Sequence, residues 1–261
     1  MEPRSRPALS LEGVTFKIGR ARLLTDVTLD FRRMEVTAII GPSGSGKSTL
    51  LKCLTTTHRP SKGKVLVGGR DAWEIRRQYR IELGYVPQDD VIHRQLTVDQ
   101  AFYYASKLRL DTALDGPAVR RRIDSIAQLL GLTEHRRQRI YRLSGGQRKR
   151  VNIGIELLAD PPVLILDEPA SGLDPGTEED LVKLLGSLAR SGRTVVMTTH
   201  SMEYLDAVDR IVLVISGNVV FAGNLRELLA HFRVAHPAEV FKAVRQRELD
   251  HWVSCYRAGS V

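Results

Sequence analysis

Residues 41–48 read G-P-S-G-S-G-K-S: Gly41, Pro42, Ser43, Gly44, Ser45, Gly46, Lys47 and Ser48, with Thr49 next. The stretch fits the pattern G-x-x-x-x-G-K-S/T, and its surroundings agree. The apolar run Val36–Ile40 precedes it as a strand, and residues 47–56 read as a helix. Glycines allow successive backbone N–H groups to point inward at phosphate oxygens, and the helix N-terminus adds a favourable dipole. Lys47 is expected to reach the β- and γ-phosphates and Ser48 to ligate Mg²⁺. These residues predict a strand–loop–helix unit that cradles a nucleoside triphosphate.

Further along, Val163–Leu166 is an apolar strand ending in Asp167 and Glu168. An acidic residue there can hold Mg²⁺, through water, and the next carboxylate can polarise an attacking water. Between the two elements lies L-S-G-G-Q at 143–147. Ser144, Gly145, Gly146 and Gln147 open a helical stretch and form a second anion-binding helix N-terminus. Two γ-phosphate-binding elements are too many for one site unless they belong to two different sites.

The rest of the chain supplies the frame. Residues 9–16, 27–31, 64–67 and Leu83–Val86 read as further early strands. From 97 to 130 the pattern turns to helices rich in Ala, Leu and Arg, broken at Gly116-Pro117. Strand–helix alternation returns at Val163–Leu166, 195–198 and 211–215, and Gly217-Asn218 reads as a hairpin turn into 219–221. The sum is a doubly wound, mostly parallel α/β sheet with a helical insertion between early and late strands. Residues from 237 read as amphipathic helix.

At 261 residues, 43% hydrophobic and 26% charged, the composition is that of an ordinary globular protein. No apolar run approaches the ~18 residues of a membrane span, and residues 1–7 precede no apolar segment, so no signal peptide is visible. Any membrane role is expected to come through a partner. The net charge of +9 draws on Arg120–122, Arg136, Arg137, Arg139 and Arg148–150, read first as solvated helix faces and second as attraction to an anionic leaflet. No nucleic acid is expected, because no aromatic-interleaved basic reader is present. Cys53 and Cys255 lack a C-x-x-C partner and read as reduced thiols, and the histidines show no ligand spacing.

Over nearly its whole length the chain resembles the nucleotide-binding domains of ATP-binding cassette (ABC) ATPases, of which L-S-G-G-Q is the signature. The resemblance implies a P-loop NTPase fold: a RecA-like mostly parallel core, an antiparallel β subdomain and an inserted helical subdomain at about 91–157. It implies an ATPase domain over 1–236 and a helical tail over 237–261. In such proteins two domains pair head to tail, and each ATP lies between one P-loop and the partner's signature. Gln88, in Y-V-P-Q-D-D, resembles the Q-loop glutamine that touches Mg²⁺, and the stretch A-S-G-L-D ending at Asp174 resembles the D-loop. His200, in T-T-H, resembles the switch histidine. The catalytic set so implied is Glu168, His200, Lys47 and Gln88, with ATP and Mg²⁺ as cofactors.

Y-V-P-Q-D-D followed by L-T-V, and S-G-G-Q-R-K-R-V, resemble the G subfamily of exporters and bacterial relatives that join this ATPase to an FHA module and a membrane domain. The expectation is an ATP-hydrolysing transporter subunit, peripheral on the inner face of the cell membrane. It would pair with a second copy or a paralogous ATPase and with an integral-membrane partner. The alternative is a soluble ABC ATPase acting in assembly or remodelling. Two positions depart from the pattern. Ile18 stands where many relatives place an adenine-stacking aromatic, so that either Phe16 substitutes or base recognition is loose, and Met34 replaces a frequent glycine.

Overall fold

The computed structural model describes residues 8–110 and 116–259. Residues 1–7, read above for a leader, lie outside them. The chain runs β1 (Leu9–Ile18), β2 (Ala21–Phe31), β3 (Val36–Ile40), α1 (Lys47–Leu54), β4 (Lys62–Val67), β5 (Arg70–Asp71), α2 (Arg76–Glu82) and β6 (Leu83–Val86). The helical insertion follows as α3 (Val98–Arg109), α4 (Gly116–Leu129) and the start of α5 (Gly145–Leu157). The core resumes with β7 (Val163–Leu166), α6 (Pro175–Arg190), β8 (Thr194–Thr199), β9 (Arg210–Ile215), β10 (Asn218–Gly223) and α7 (Leu225–Phe232). Two short helices, α8 (Val240–Val244) and α9 (Leu249–Arg257), follow within the described residues.

The strands form two sheets. One is antiparallel, ordered β2-β1-β4-β5, and the other is ordered β10-β9-β3-β8-β7-β6, parallel throughout except for β10. Every residue of β3, β7 and β8 is buried, as expected of parallel strands covered on both faces. Their alternation divides the core in two. Ala38, Ile40, Leu164 and Leu166 pack with the helical insertion, α6 and the tail, whereas Ile39, Ile165 and Val196 pack with α1 and the antiparallel sheet.

Helix ends follow local chemistry. Thr97 caps α3 in a reciprocal box with Gln100, Asp174 caps α6 just before Pro175, and Asn224 caps α7 with Glu227. Gly116-Pro117, expected as a break, opens α4.

Three expectations need correction. The hairpin turn is Ser216-Gly217, both at positive φ, and Asn218 is the first residue of β10. The tail is not one amphipathic helix. The Trp252 indole N–H donates to the Val244 carbonyl at 3.0 Å, folding α9 back on α8, and the buried ring packs on Phe232. Nor are the arginine runs solvated throughout: Arg120, Arg121, Arg137 and Arg139 are exposed, but others are bonded. Arg122 donates to the Leu157 and Leu158 carbonyls, Arg150 to the Leu130 carbonyl, and Arg136 bridges Asp99 and Asp124 at 2.6 Å each.

Both cysteines are free thiols, and burial pushes the Cys53 thiol up to about 12. Among the described residues no helix is long and apolar enough to cross a membrane.

Candidate functional site

Strand order brings the candidates together. β3, β8, β7 and β6 are consecutive neighbours, registered so that Ile40 pairs with Thr199, Met197 with Leu166, and Leu166 with Val86. Their carboxyl ends therefore come level, and the residues just beyond them form a row: the glycine loop, His200, Asp167 with Glu168, and Gln88. This edge is where open α/β sheets place ligands.

Within the glycine loop the backbone is constrained from below. Gly46 has φ of 108°, and a Cβ there would lie 2.8 Å from the Leu23 carbonyl oxygen. No side chain caps the following helix, so its first N–H groups are free to face an anion. The turn Ser216-Gly217 braces the loop, with the Gly217 N–H donating to the Ser45 carbonyl at 2.7 Å.

Lys47 is buried at 6% exposure, and its ammonium donates to the carbonyls of Gly41 and Pro42 at 2.8 and 3.1 Å. Desolvation lowers its pKa, opposed by the charges of Glu168 and Asp167. An anionic ligand would offset that cost by favouring the charged ammonium.

Asp167 is buried and accepts at Oδ1 from Thr198 Oγ1 at 2.6 Å and from Ser48 Oγ at 3.3 Å. Thr198 Oγ1 also accepts the Glu168 N–H at 2.8 Å. Glu168 itself sits at φ of 46°, a backbone conformation costly for a non-glycine residue and typical of functional turns. Its Oε2 accepts from Gln88 Nε2 at 3.2 Å and lies 3.5 Å from His200 Nδ1. Ser48 Oγ, Asp167 Oδ1 and the Gln88 amide oxygen make an all-oxygen donor set, the kind a hard cation such as Mg²⁺ prefers.

Ser144, Gly145, Gly146 and Gln147 lie elsewhere. Ser144 caps α5 in a reciprocal box with Gln147, and its side chain is exposed. A Cβ on Gly145 would meet Leu173 at 3.3 Å, and one on Gly146 would meet Thr177 Cγ2 at 2.3 Å. The signature end of α5 is thus seated on the Asp174 end of α6. Among the described residues no hydrogen bond or ion pair joins 144–147 to 41–49.

The insertion is tied to this edge by charge. Lys149, buried on α5, donates to the Gln88 carbonyl at 2.5 Å, and Asn152 donates to Asp90 at 2.7 Å. Arg109 makes two bonds to Glu156, 2.6 and 2.5 Å, while Glu156 also accepts the Tyr85 N–H. Burial raises the Glu156 pKa, and Arg109 opposes the shift.

Thr198, Lys149 and the Arg109–Glu156 pair were not among the sequence candidates. Thr198, two residues before His200, and Lys149, within S-G-G-Q-R-K-R-V, carried a local hint, and the Arg109–Glu156 pair carried none. Phe16 does not replace an adenine-stacking ring: it is 9% exposed and stacked on His58 at 5.1 Å, while Ile18 is 59% exposed.

This fold and row of residues define a P-loop NTPase. A family model described as ABC transporter matches residues 24–171, which span the glycine loop, Gln88, the signature, Asp167 and Glu168. The chain is 39% identical over 240 residues to the ABC transporter ATP-binding/permease protein Rv1747 of Mycobacterium tuberculosis, covering 90% of this chain and 28% of that protein. It is 39% identical over 214 residues to ABC transporter G family member 4 of Arabidopsis thaliana, covering 80% and 36%. Its fold matches that of cbiO1 from Clostridium perfringens, described as part of the ABC transporter complex cbiONQ, with a TM-score of 0.80 at 28% identity, covering 95% of this chain and 98% of that one.

The chain belongs to the ABC transporter family, as an ATP-binding ATPase unit, and it is similar in sequence to G family members. It spans well under half the length of the curated relatives it matches.

Proposed function

We propose that this unit hydrolyses ATP to drive an exporter, working as a head-to-tail pair at the inner face of a cell membrane and docked on an integral-membrane partner. The observation that carries the reading is the separation just described. One edge gathers Lys47, Ser48, Asp167, Glu168, Gln88 and His200, whereas the Ser144 helix end is seated on α6, where a second chain can use it.

Each residue then has a role that its position supports. The loop N–H groups from Gly41 to Thr49 and the Lys47 ammonium bind the phosphates of ATP. Ser48, Asp167 and Gln88 hold Mg²⁺, which when bound offsets charge on the phosphate oxygens. Glu168 orients a water and takes its proton, and His200 and Lys47 stabilise charge building on the γ-phosphate. Ser144, Gly145, Gly146 and Gln147 of a partner chain close the site from the far side, with Asp174 beside them. Because Gln88 bonds both Glu168 and, through its carbonyl, Lys149, its movement would pass from site to insertion.

The test is capture of tagged Glu168→Gln protein from mild-detergent extracts of its native membranes with Mg-ATP. Recovery of a polytopic membrane polypeptide in equal amount supports transport. Recovery of soluble proteins alone, with wild-type ATPase intact, replaces it with an assembly or remodelling ATPase.

A further inference from the structure

We infer that His135 is a positioning residue for the signature end of α5, acting through Gln147 with its Nε2 unprotonated. The inference deepens the reading of 144–147 as the end offered to a partner's ATP, and it rests on that reading.

His135 closes a single 3₁₀ turn, Thr133–His135, and is half-buried. Its ring stands between two amides: Nε2 lies 2.9 Å from Gln147 Nε2, and Nδ1 lies 3.1 Å from Gln138 Oε1. Each amide has its orientation set by a different neighbour. Gln147 Oε1 accepts the Ser144 N–H at 2.9 Å, so its NH₂ must face the ring. Gln138 Nε2 donates to the Arg142 carbonyl at 3.2 Å, so its oxygen must face the ring.

The two assignments, made from opposite sides, demand one tautomer. Nδ1 carries the proton and donates to Gln138, and bare Nε2 accepts from Gln147. The chain of bonds runs Arg142 carbonyl, Gln138, His135, Gln147 and Ser144 N–H. Its last link is half of the capping box that fixes the Ser144 backbone and hydroxyl. Without an acceptor at Nε2, the Gln147 amide loses the partner that holds its oxygen toward Ser144.

Two measurements test this. In protein labelled with ¹⁵N-histidine, long-range ¹H–¹⁵N correlation at neutral pH is expected to show His135 protonated at Nδ1 and bare at Nε2. The opposite tautomer overturns the proposal, and this readout needs neither activity nor a variant. Kinetically, His135→Leu removes the acceptor, whereas His135→Gln places an amide oxygen near the Nε2 position. The Leu variant is expected to lose about fivefold to tenfold in kcat with ATP affinity of the single chain unchanged, and the Gln variant to recover most of it. Equal kcat in wild type and the Leu variant overturns positioning. Should the Leu variant fail to fold, the wild-type tautomer decides. Ser144→Arg is the control on the underlying reading. If it keeps full hydrolysis, the partner-site role of 144–147 falls; if it abolishes hydrolysis while His135→Leu does not change it, the positioning role alone falls.

Discussion

Thr198 Oγ1 donates to Asp167 Oδ1 at 2.6 Å, joining the carboxyl end of one buried strand to the acidic residues that follow its neighbour. The same oxygen accepts the Glu168 N–H. One hydroxyl therefore orients the carboxylate proposed for Mg²⁺ and pins the strained backbone of the carboxylate proposed as base. Thr198→Val keeps the shape and removes both bonds. It is expected to cost about 1–3 kcal/mol of stability, because a buried N–H loses its acceptor, and to lower kcat. Chemical denaturation and steady-state ATPase assays check the two effects; unchanged values in both would show that the hydroxyl positions neither carboxylate.

The seating of the signature on α6 has a steric test. A methyl at Gly146 meets Thr177 Cγ2, while Thr177 Oγ1 bonds Asp174 Oδ2 at 2.7 Å. Gly146→Ala is expected to cost about 1–3 kcal/mol by overpacking. Thr177→Ser removes the offending methyl and keeps the hydroxyl, so the double variant should recover most of the loss. A double-mutant cycle measures the coupling, and simple additivity of the two changes would place the strain elsewhere.

Met34 has φ of 62° and is 51% exposed. This explains why a glycine suits the position: a side chain there adopts a left-handed backbone at a cost of roughly 1–2 kcal/mol, set against the greater chain entropy of glycine. Met34→Gly is expected to raise stability by up to about 1 kcal/mol, read from the urea midpoint, with ATPase unchanged.

The sequence was most legible where local rules decide. The glycine loop, the buried strands and the acidic end of β7 follow from periodicity and from motifs in a strand–loop setting, whereas Gln88 and His200 are implied by the family resemblance. It was least legible where distant side chains settle the outcome. Trp252 breaks the tail because its indole N–H needs the Val244 carbonyl once buried, which no helical periodicity shows. Phe16 is spent on His58, a residue beyond the next two strands. Arg122 and Arg136 look like surface charge until their backbone and carboxylate partners are seen. His135 lacks metal-ligand spacing, and its role emerges only from the two amides that flank it.

The central claim is that the ATP site is completed by a second chain. Its most direct test is the solution mass of Glu168→Gln by light scattering, with and without saturating Mg-ATP. Removing the carboxylate should stop turnover and leave the bound state intact, so the mass is expected to double with Mg-ATP and to return to that of one chain when nucleotide is removed. A mass of one chain at high protein concentration, with ATP demonstrably bound, would contradict the claim.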